Sequence, residues 1–255
     1  MKTLIYTALF TLLFFAVAAN ASPLIFYGGD FDPNNPNADG LANENDASVA
    51  QQWASFPVGA ATYQNFVLHK PTLVTGLFTN NLSDLNPVAG YWEIRTKVHQ
   101  GWPGKLIASG NSVLTQTATG RSGFGYTEYQ DLVGCGLASC ASPLNVHLKP
   151  GQYWFSVVPQ DPATAGRSFN SNTLGNNAIG SQINNQQYFD SPFFGAFFDN
   201  ANNWGVFRTF SSGVYDDPLY DDESYGDSAP EPSSLIRLGS GLASVAGAVR
   251  SKLNR

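Results

Sequence analysis

Apolar and polar residues alternate with a period of two through most of the middle of this chain. Tyr91–Val98 is the clearest stretch: Trp92, Ile94 and Val98 fall on one face, Glu93, Arg95 and Lys97 on the other. Period two is that of a strand with one buried side. Alternating or continuously apolar runs predict strands at Tyr63–His69, Leu73–Thr79, Tyr91–His99, Lys105–Ser109, Val113–Ala118, Phe124–Val133, Leu144–Leu148 and Tyr153–Pro159. Later strands are predicted at Gln187–Phe189, Phe193–Phe198 and Gly205–Phe210. Turn residues separate most of them, and Pro150-Gly151 fits a type II turn ahead of the aromatic run Tyr153-Trp154-Phe155. The stretch Pro23–Asp46 reads as loop from its Gly, Pro, Asn and Asp content. Within the body, Ala42–Trp53 is the best short helix candidate. Many short strands at such spacing predict an all-β fold, a single β-sandwich or barrel.

The pattern Leu148-x-Pro150-Gly151-x-Tyr153-Trp154 resembles the turn that opens a strand in many bacterial jelly-roll and sandwich domains. That resemblance implies a jelly-roll-like β-sandwich, and it names no activity.

Both ends of the chain read as addresses. Lys2, the apolar run Leu4–Ala18 and Ala19-Asn20-Ala21 form the three parts of a secretory signal peptide, cut after Ala21 by signal peptidase. Near the other end, Pro230-Glu231-Pro232 precedes a weakly apolar run to Val249, followed by the basic residues Arg250, Lys252 and Arg255. The basic end matches the preference of Lys and Arg for the cytoplasmic side of a membrane. This tail resembles the PEP-CTERM sorting signal. The resemblance implies recognition by an exosortase, transient inner-membrane association through a C-terminal helix, and export in a Gram-negative bacterium that makes extracellular polysaccharide. The expected organisation is a signal peptide over 1–21, a sandwich domain over 22–214, an acidic flexible linker over 215–229 and the sorting signal over 230–255.

Charge narrows the range of partners. Between residues 22 and 229 stand eight basic residues and eighteen acidic ones, a net charge of about −10. Nucleic-acid binding needs clustered Lys and Arg, so that class is not expected. Cysteine is limited to Cys135 and Cys140, which in an exported chain read as a disulfide closing a small loop.

Candidate chemistry is sparse. Asp30, Asp32, Asn34, Asp39 and Asp46, with Asn37 and Glu44 among them, supply the oxygen ligands a calcium loop needs. Asp30-x-Asp32-x-Asn34 opens like an EF-hand loop, but Asn35 and Leu41 stand where that loop needs Gly and Glu. A plain loop of Asx turns is the alternative, and no other cofactor is expected. His69, His99 and His147 are far apart and read as solvent-facing strand residues. Glu93 and Glu128 could form a glycosidase pair only if the fold brought them together, and surface placement is the plainer expectation for each. Trp102 and Trp204, in loop-like contexts as is Trp53, are the candidates for stacking on sugars, while Trp92 and Trp154 suit the core. Phe193, Phe194, Phe197 and Phe198 fill a core between sheets or line a contact surface. The expected function is that of an exported, surface-sorted, non-enzymatic protein of the extracellular polysaccharide or biofilm matrix. The alternatives are a calcium-dependent carbohydrate-binding module and a polysaccharide hydrolase with an unrecognised carboxylate pair.

Overall fold

The computed structural model describes residues 23–34, 59–135, 142–161, 166–204 and 209–217. These residues form fourteen strands and a 3-10 turn at Ala201–Trp204, with no α-helix among them. Every strand pair is antiparallel. The protein is therefore all-β, as its alternation predicts.

The strands join in the order β1-β14-β3-β6-β5-β4-β8-β2-β11-β12. The ladder changes layer within the long strand β5 (Lys105–Gly123). Up to Val113, β5 pairs with β4 (Ala89–Thr96); from Leu114 it pairs with β6 (Tyr126–Gly134). Layer one holds β1 (Leu24–Tyr27), β14 (Ser212–Asp216), β3 (Thr72–Ser83), β6 and the second half of β5. The short strands β7 (Val146–Leu148) and β9 (Ser168–Asn170) also pair with β3. Layer two holds the first half of β5, then β4, β8 (Gly151–Gln160), β2 (Ala61–Leu68), β11 (Tyr188–Ser191) and β12 (Ala196–Asn200). A separate ribbon pairs β10 (Asn172–Thr173) with β13 (Thr209–Phe210).

The main core lies between the layers. Leu77, Val133 and Val214 from layer one meet Phe66, Trp92, Ile94, Phe155 and Val157 from layer two. Each such buried side chain contributes roughly 1.5–3 kcal/mol. A second cluster (Tyr63, Val98, Trp154, Val158, Tyr188 and Phe198) covers the opposite face of layer two. Trp92 and Ile94 share the inner face as predicted, but Val98 belongs to the second cluster. Lys97 adopts a left-handed φ of 59°, which breaks the alternation between Ile94 and Val98.

Two predicted strands, Lys105–Ser109 and Val113–Ala118, are the single strand β5. Gly110-Asn111-Ser112 resembles a turn in sequence, yet it serves as strand. Gly110 lies under the Trp92 indole, where an added Cβ would come within 3.1 Å of the ring, and the indole N–H donates to Ser112 Oγ at 3.0 Å. The Pro23–Asp46 loop reading is also corrected at its start, because Leu24–Tyr27 pairs with β14. At the other end, Tyr215 and Asp216, expected to open the linker, complete β14 against Gly76 and Val74 of β3. Between β11 and β12 the chain turns at Pro192–Gly195, so Phe193 and Phe194 sit in a turn rather than a strand. The signal peptide, the Ala42–Trp53 helix, the rest of the acidic linker and the sorting tail lie outside the described residues. Among the described residues, no helix is long and apolar enough to cross a membrane.

Candidate functional site

The outer face of layer one carries a cleft assembled from several strands. Strand alternation sends Leu77 and Thr79 of β3 inward and leaves Phe78 and Asn80 on the outer face. Register adds Gln130 of β6, paired with Asn80, and Thr117 of β5, paired with Gln130. Tyr215 of β14, Leu24 and Tyr27 of β1, and Thr119 and Arg121 of β5 complete a cleft of about 330 Å³, with Asp30 at its wall. That volume lies near the lower end of small-molecule sites, roughly 300–1,000 Å³. Gly213 makes room for the floor: a Cβ there would stand 2.3 Å from the Phe78 ring.

The polar groups of the cleft are tied to one another. Asn80 Nδ2 donates to Ser211 Oγ at 2.8 Å and to the Tyr27 hydroxyl at 3.1 Å. Tyr27 donates onward to Asp30 Oδ1 at 2.7 Å. Arg121 Nη1 donates to the same oxygen at 2.8 Å, and its Nε donates to Glu128 Oε2, which also accepts from Thr119 Oγ1 at 2.6 Å. Asn177 Nδ2 binds Asp30 Oδ2 at 2.6 Å. Among the described residues, the buried oxygens Asn80 Oδ1 and Glu128 Oε1 meet no hydrogen-bond partner. Burial pushes the Tyr27 phenol well above its ordinary range, reinforced by the Asp30 charge. Asp30 goes the other way. Partial burial opposes ionisation, but hydrogen bonds from Asn177 and Tyr27 and the charge of Arg121 outweigh it, holding the carboxyl below its usual value.

The residues expected to bind calcium are differently employed. Asp30 is engaged by Arg121, Tyr27 and Asn177, and Asp32 Oδ1 accepts the backbone N–H of Asn34 at 2.9 Å, an Asx turn. Asp39 and Asp46 lie outside the described residues. Among the described residues, no group of three or more His, Cys, Asp or Glu is placed to hold a metal ion. His69, His99 and His147 are exposed, as expected.

Glu93 and Glu128 are not on the surface. Both are buried, at 2% and 0% exposure, and each is clamped by an arginine. Glu93 accepts from the Tyr63 hydroxyl at 2.6 Å and the Tyr91 hydroxyl at 3.0 Å, and it pairs with Arg95, whose guanidinium lies 5.4 Å over the Phe198 ring. A polar strand residue looks exposed in sequence, but here the outer face of layer two is itself covered by Phe198 and Tyr188. Asp190, beside this cluster, is raised to about 6 by burial, with the Glu93 charge adding to it. Glu93 stands on the outer face of layer two and Glu128 on that of layer one, with the apolar core between them. The two cannot act on one glycosidic bond.

Trp102 is exposed at 54% and lies nearly parallel to His99, with ring centroids 6.2 Å apart. The loop carrying both is tied down by Gln100, which binds Asp199 at 2.5 Å and accepts the Asn200 N–H at 2.6 Å. Trp92 and Trp154 are core residues, whereas Trp53 and the side chain of Trp204 lie outside the described residues. Of the four clustered phenylalanines only Phe198 is buried; Phe193, Phe194 and Phe197 face solvent. Cys135 is buried and is not a free thiol, and its expected partner Cys140 lies outside the described residues.

No motif announces the cleft. Its residues come from five strands, of which only β5 and β6 are neighbours in the chain, and the single local trace is the alternation Thr117-x-Thr119-x-Arg121 on β5. Comparison with known proteins finds no matching family model, no matching curated protein and no matching solved structure.

Proposed function

We propose that this chain is an exported, non-enzymatic protein of the extracellular matrix, which holds polysaccharide in the cleft of layer one. The observation that carries this reading is the cleft itself. It sets the half-buried ring of Tyr215 beside the Thr119 hydroxyl and the Arg121 guanidinium, both held by Glu128. Aromatic rings stack on the apolar faces of sugar rings, and preorganised polar groups bind the hydroxyls with little ordering cost. Trp102 offers a second stacking surface at the β4–β5 connection.

The finer topology is read as jelly-roll-like, because β8 returns to lie between β2 and β4 while β6 lies between β3 and β5. Sorting rests on Pro230-Glu231-Pro232 and the basic residues Arg250, Lys252 and Arg255, with signal peptidase and an exosortase as processing partners. The destination is the outer surface or matrix of a Gram-negative cell. Cys135 and Cys140 are assigned to one disulfide.

The test is retention of the full chain on polysaccharide isolated from its host's own matrix. Tyr215→Ala opens the cleft at a half-buried position and is expected to reduce retention, while a well-folded variant retained as fully as the wild type would sink the cleft assignment.

A further inference from the structure

We infer that two copies of this chain pair through the first half of β5, antiparallel and edge to edge, so that layer two of one copy continues into layer two of the other. A sheet edge is a row of backbone donors and acceptors with no strand beside it, and folds commonly cover it. This fold covers both ends of its ladder. Along β1, Tyr27 and Ile179 exchange N–H···O bonds of 2.9 Å, and the Asp30 N–H donates to the Asn176 carbonyl at 2.7 Å. Along β12, the Gly101 N–H donates to the Phe198 carbonyl at 3.1 Å, and Gln100 Oε1 accepts the Asn200 N–H.

The first half of β5 has no such cover. The Leu114 N–H donates to the Val88 carbonyl at 3.3 Å, on the β4 side. Backbone groups alternate in direction along a strand, so Ser109, Asn111 and Val113 turn their N–H and C=O groups to the opposite edge. β6 occupies that edge from Leu114 onward. Before Leu114, no strand among the described residues pairs with it. Ser109, Asn111 and Val113 are exposed, Val113 at 82%. The usual deterrents to edge pairing are missing as well: from Leu106 to Gly120 the strand carries no charged residue and no proline.

A second copy is the partner this edge fits. A strand paired antiparallel with its own copy is two-fold symmetric, so the same surface serves both sides of the contact. An axis at Asn111 sets Ser109 opposite Val113 and Asn111 opposite the Asn111 of the second copy. That register engages every open backbone group of the three residues, each pair exchanging both N–H···O bonds. It also brings the two Asn111 amides within reach of each other on the exposed face. Residues 22–229 carry a net charge of about −10 and repel their own kind. The uncharged run of β5 lets two copies meet without setting like charges of this strand against one another.

The experiment is sedimentation equilibrium of the full chain across the micromolar range, with two variants beside the wild type. The wild type is expected to show a reversible monomer–dimer equilibrium that stops at two copies, because pairing uses up the open edge. Asn111→Pro removes the N–H at the axis from both copies and is expected to raise the dimer Kd about tenfold or more. Asn111→Lys sets two cations face to face and is expected to raise it several-fold at low salt, with partial recovery as salt screens them. The Asn111 side chain is exposed and its N–H faces away from β4, so both variants should keep the wild-type urea midpoint. Should Asn111→Pro fail to fold, Asn111→Lys alone decides. A wild type that stays monomeric throughout would overturn the inference. So would a dimer equally strong in the folded variants, or assembly that grows beyond two, since either places the contact on another surface.

Discussion

Asp131 offers the sharpest test of the packing between the layers. It lies on β6 on the same side as Val133, pointing into the core, and is fully buried. Its Oδ2 accepts from Asn81 Nδ2 at 2.7 Å and its Oδ1 from Gln116 Nε2 at 3.0 Å. Burial raises its carboxyl from 3.8 to about 7, against the opposing effect of those two amides. Between these values the folded state keeps the proton and the unfolded chain has lost it. Stability is therefore full below the unfolded value and falls as pH rises, by about 1.4 kcal/mol per pH unit. Over the roughly three units separating the two states, the loss is about 4 kcal/mol. Asp131→Asn has nearly the same shape and no charge, and the half-buried Gln116 amide can turn to present its carbonyl. The variant is expected to match the wild type near pH 4 to within about 1 kcal/mol, and to exceed it by several kcal/mol near pH 8. Urea unfolding of both proteins across that range measures the difference. Asp190 also titrates there, but it is common to both proteins and cancels. A difference between variant and wild type that is the same at both ends of the range would refute the argument.

Three further outcomes follow from other contacts. Gly213→Ala places a Cβ 2.3 Å from the Phe78 ring and 2.9 Å from the Phe26 carbonyl oxygen; unfolding should show about 1–3 kcal/mol of lost stability, and glycan retention should fall as the floor shifts. Glu93→Gln removes the anion facing Arg95 in a half-buried cluster; a drop of about 3 kcal/mol in denaturant stability is expected, and an unchanged midpoint would contradict the clamp. Mass spectrometry of the protein recovered from its host's envelope and medium should find a chain beginning at Ser22 and ending near Pro230–Ser233, with a mass that shifts by one hydrogen pair on reduction. A chain still ending at Arg255 would remove the main support for sorting.

Pattern in the sequence was sufficient where burial is one-sided and local. The inner-face placement of Trp92 and Ile94, the aromatic strand after Pro150-Gly151, and the exposed histidines all follow from period-two alternation and turn chemistry. Alternation was not sufficient where a second covering layer or a backbone exception intervenes. Glu93 and Glu128 look like solvent-facing strand residues because a strand cannot show from its own sequence that its polar face is also covered. Val98 changes clusters because Lys97 adopts a left-handed conformation, which alternation does not encode. Gly110-Asn111-Ser112 reads as a turn until Trp92 is laid across it.

The division has a simple physical basis. By itself the sequence determined the all-β class and most strand positions, because each depends on residues within a few positions of one another. Tertiary structure alone decided that β5 would serve two layers, that Asp30 would be bound by an arginine ninety-one residues away, and that β1, β3 and β14 would join the β5–β6 hairpin in lining one cleft. Strand register and layer order assemble those features from residues that share no local pattern.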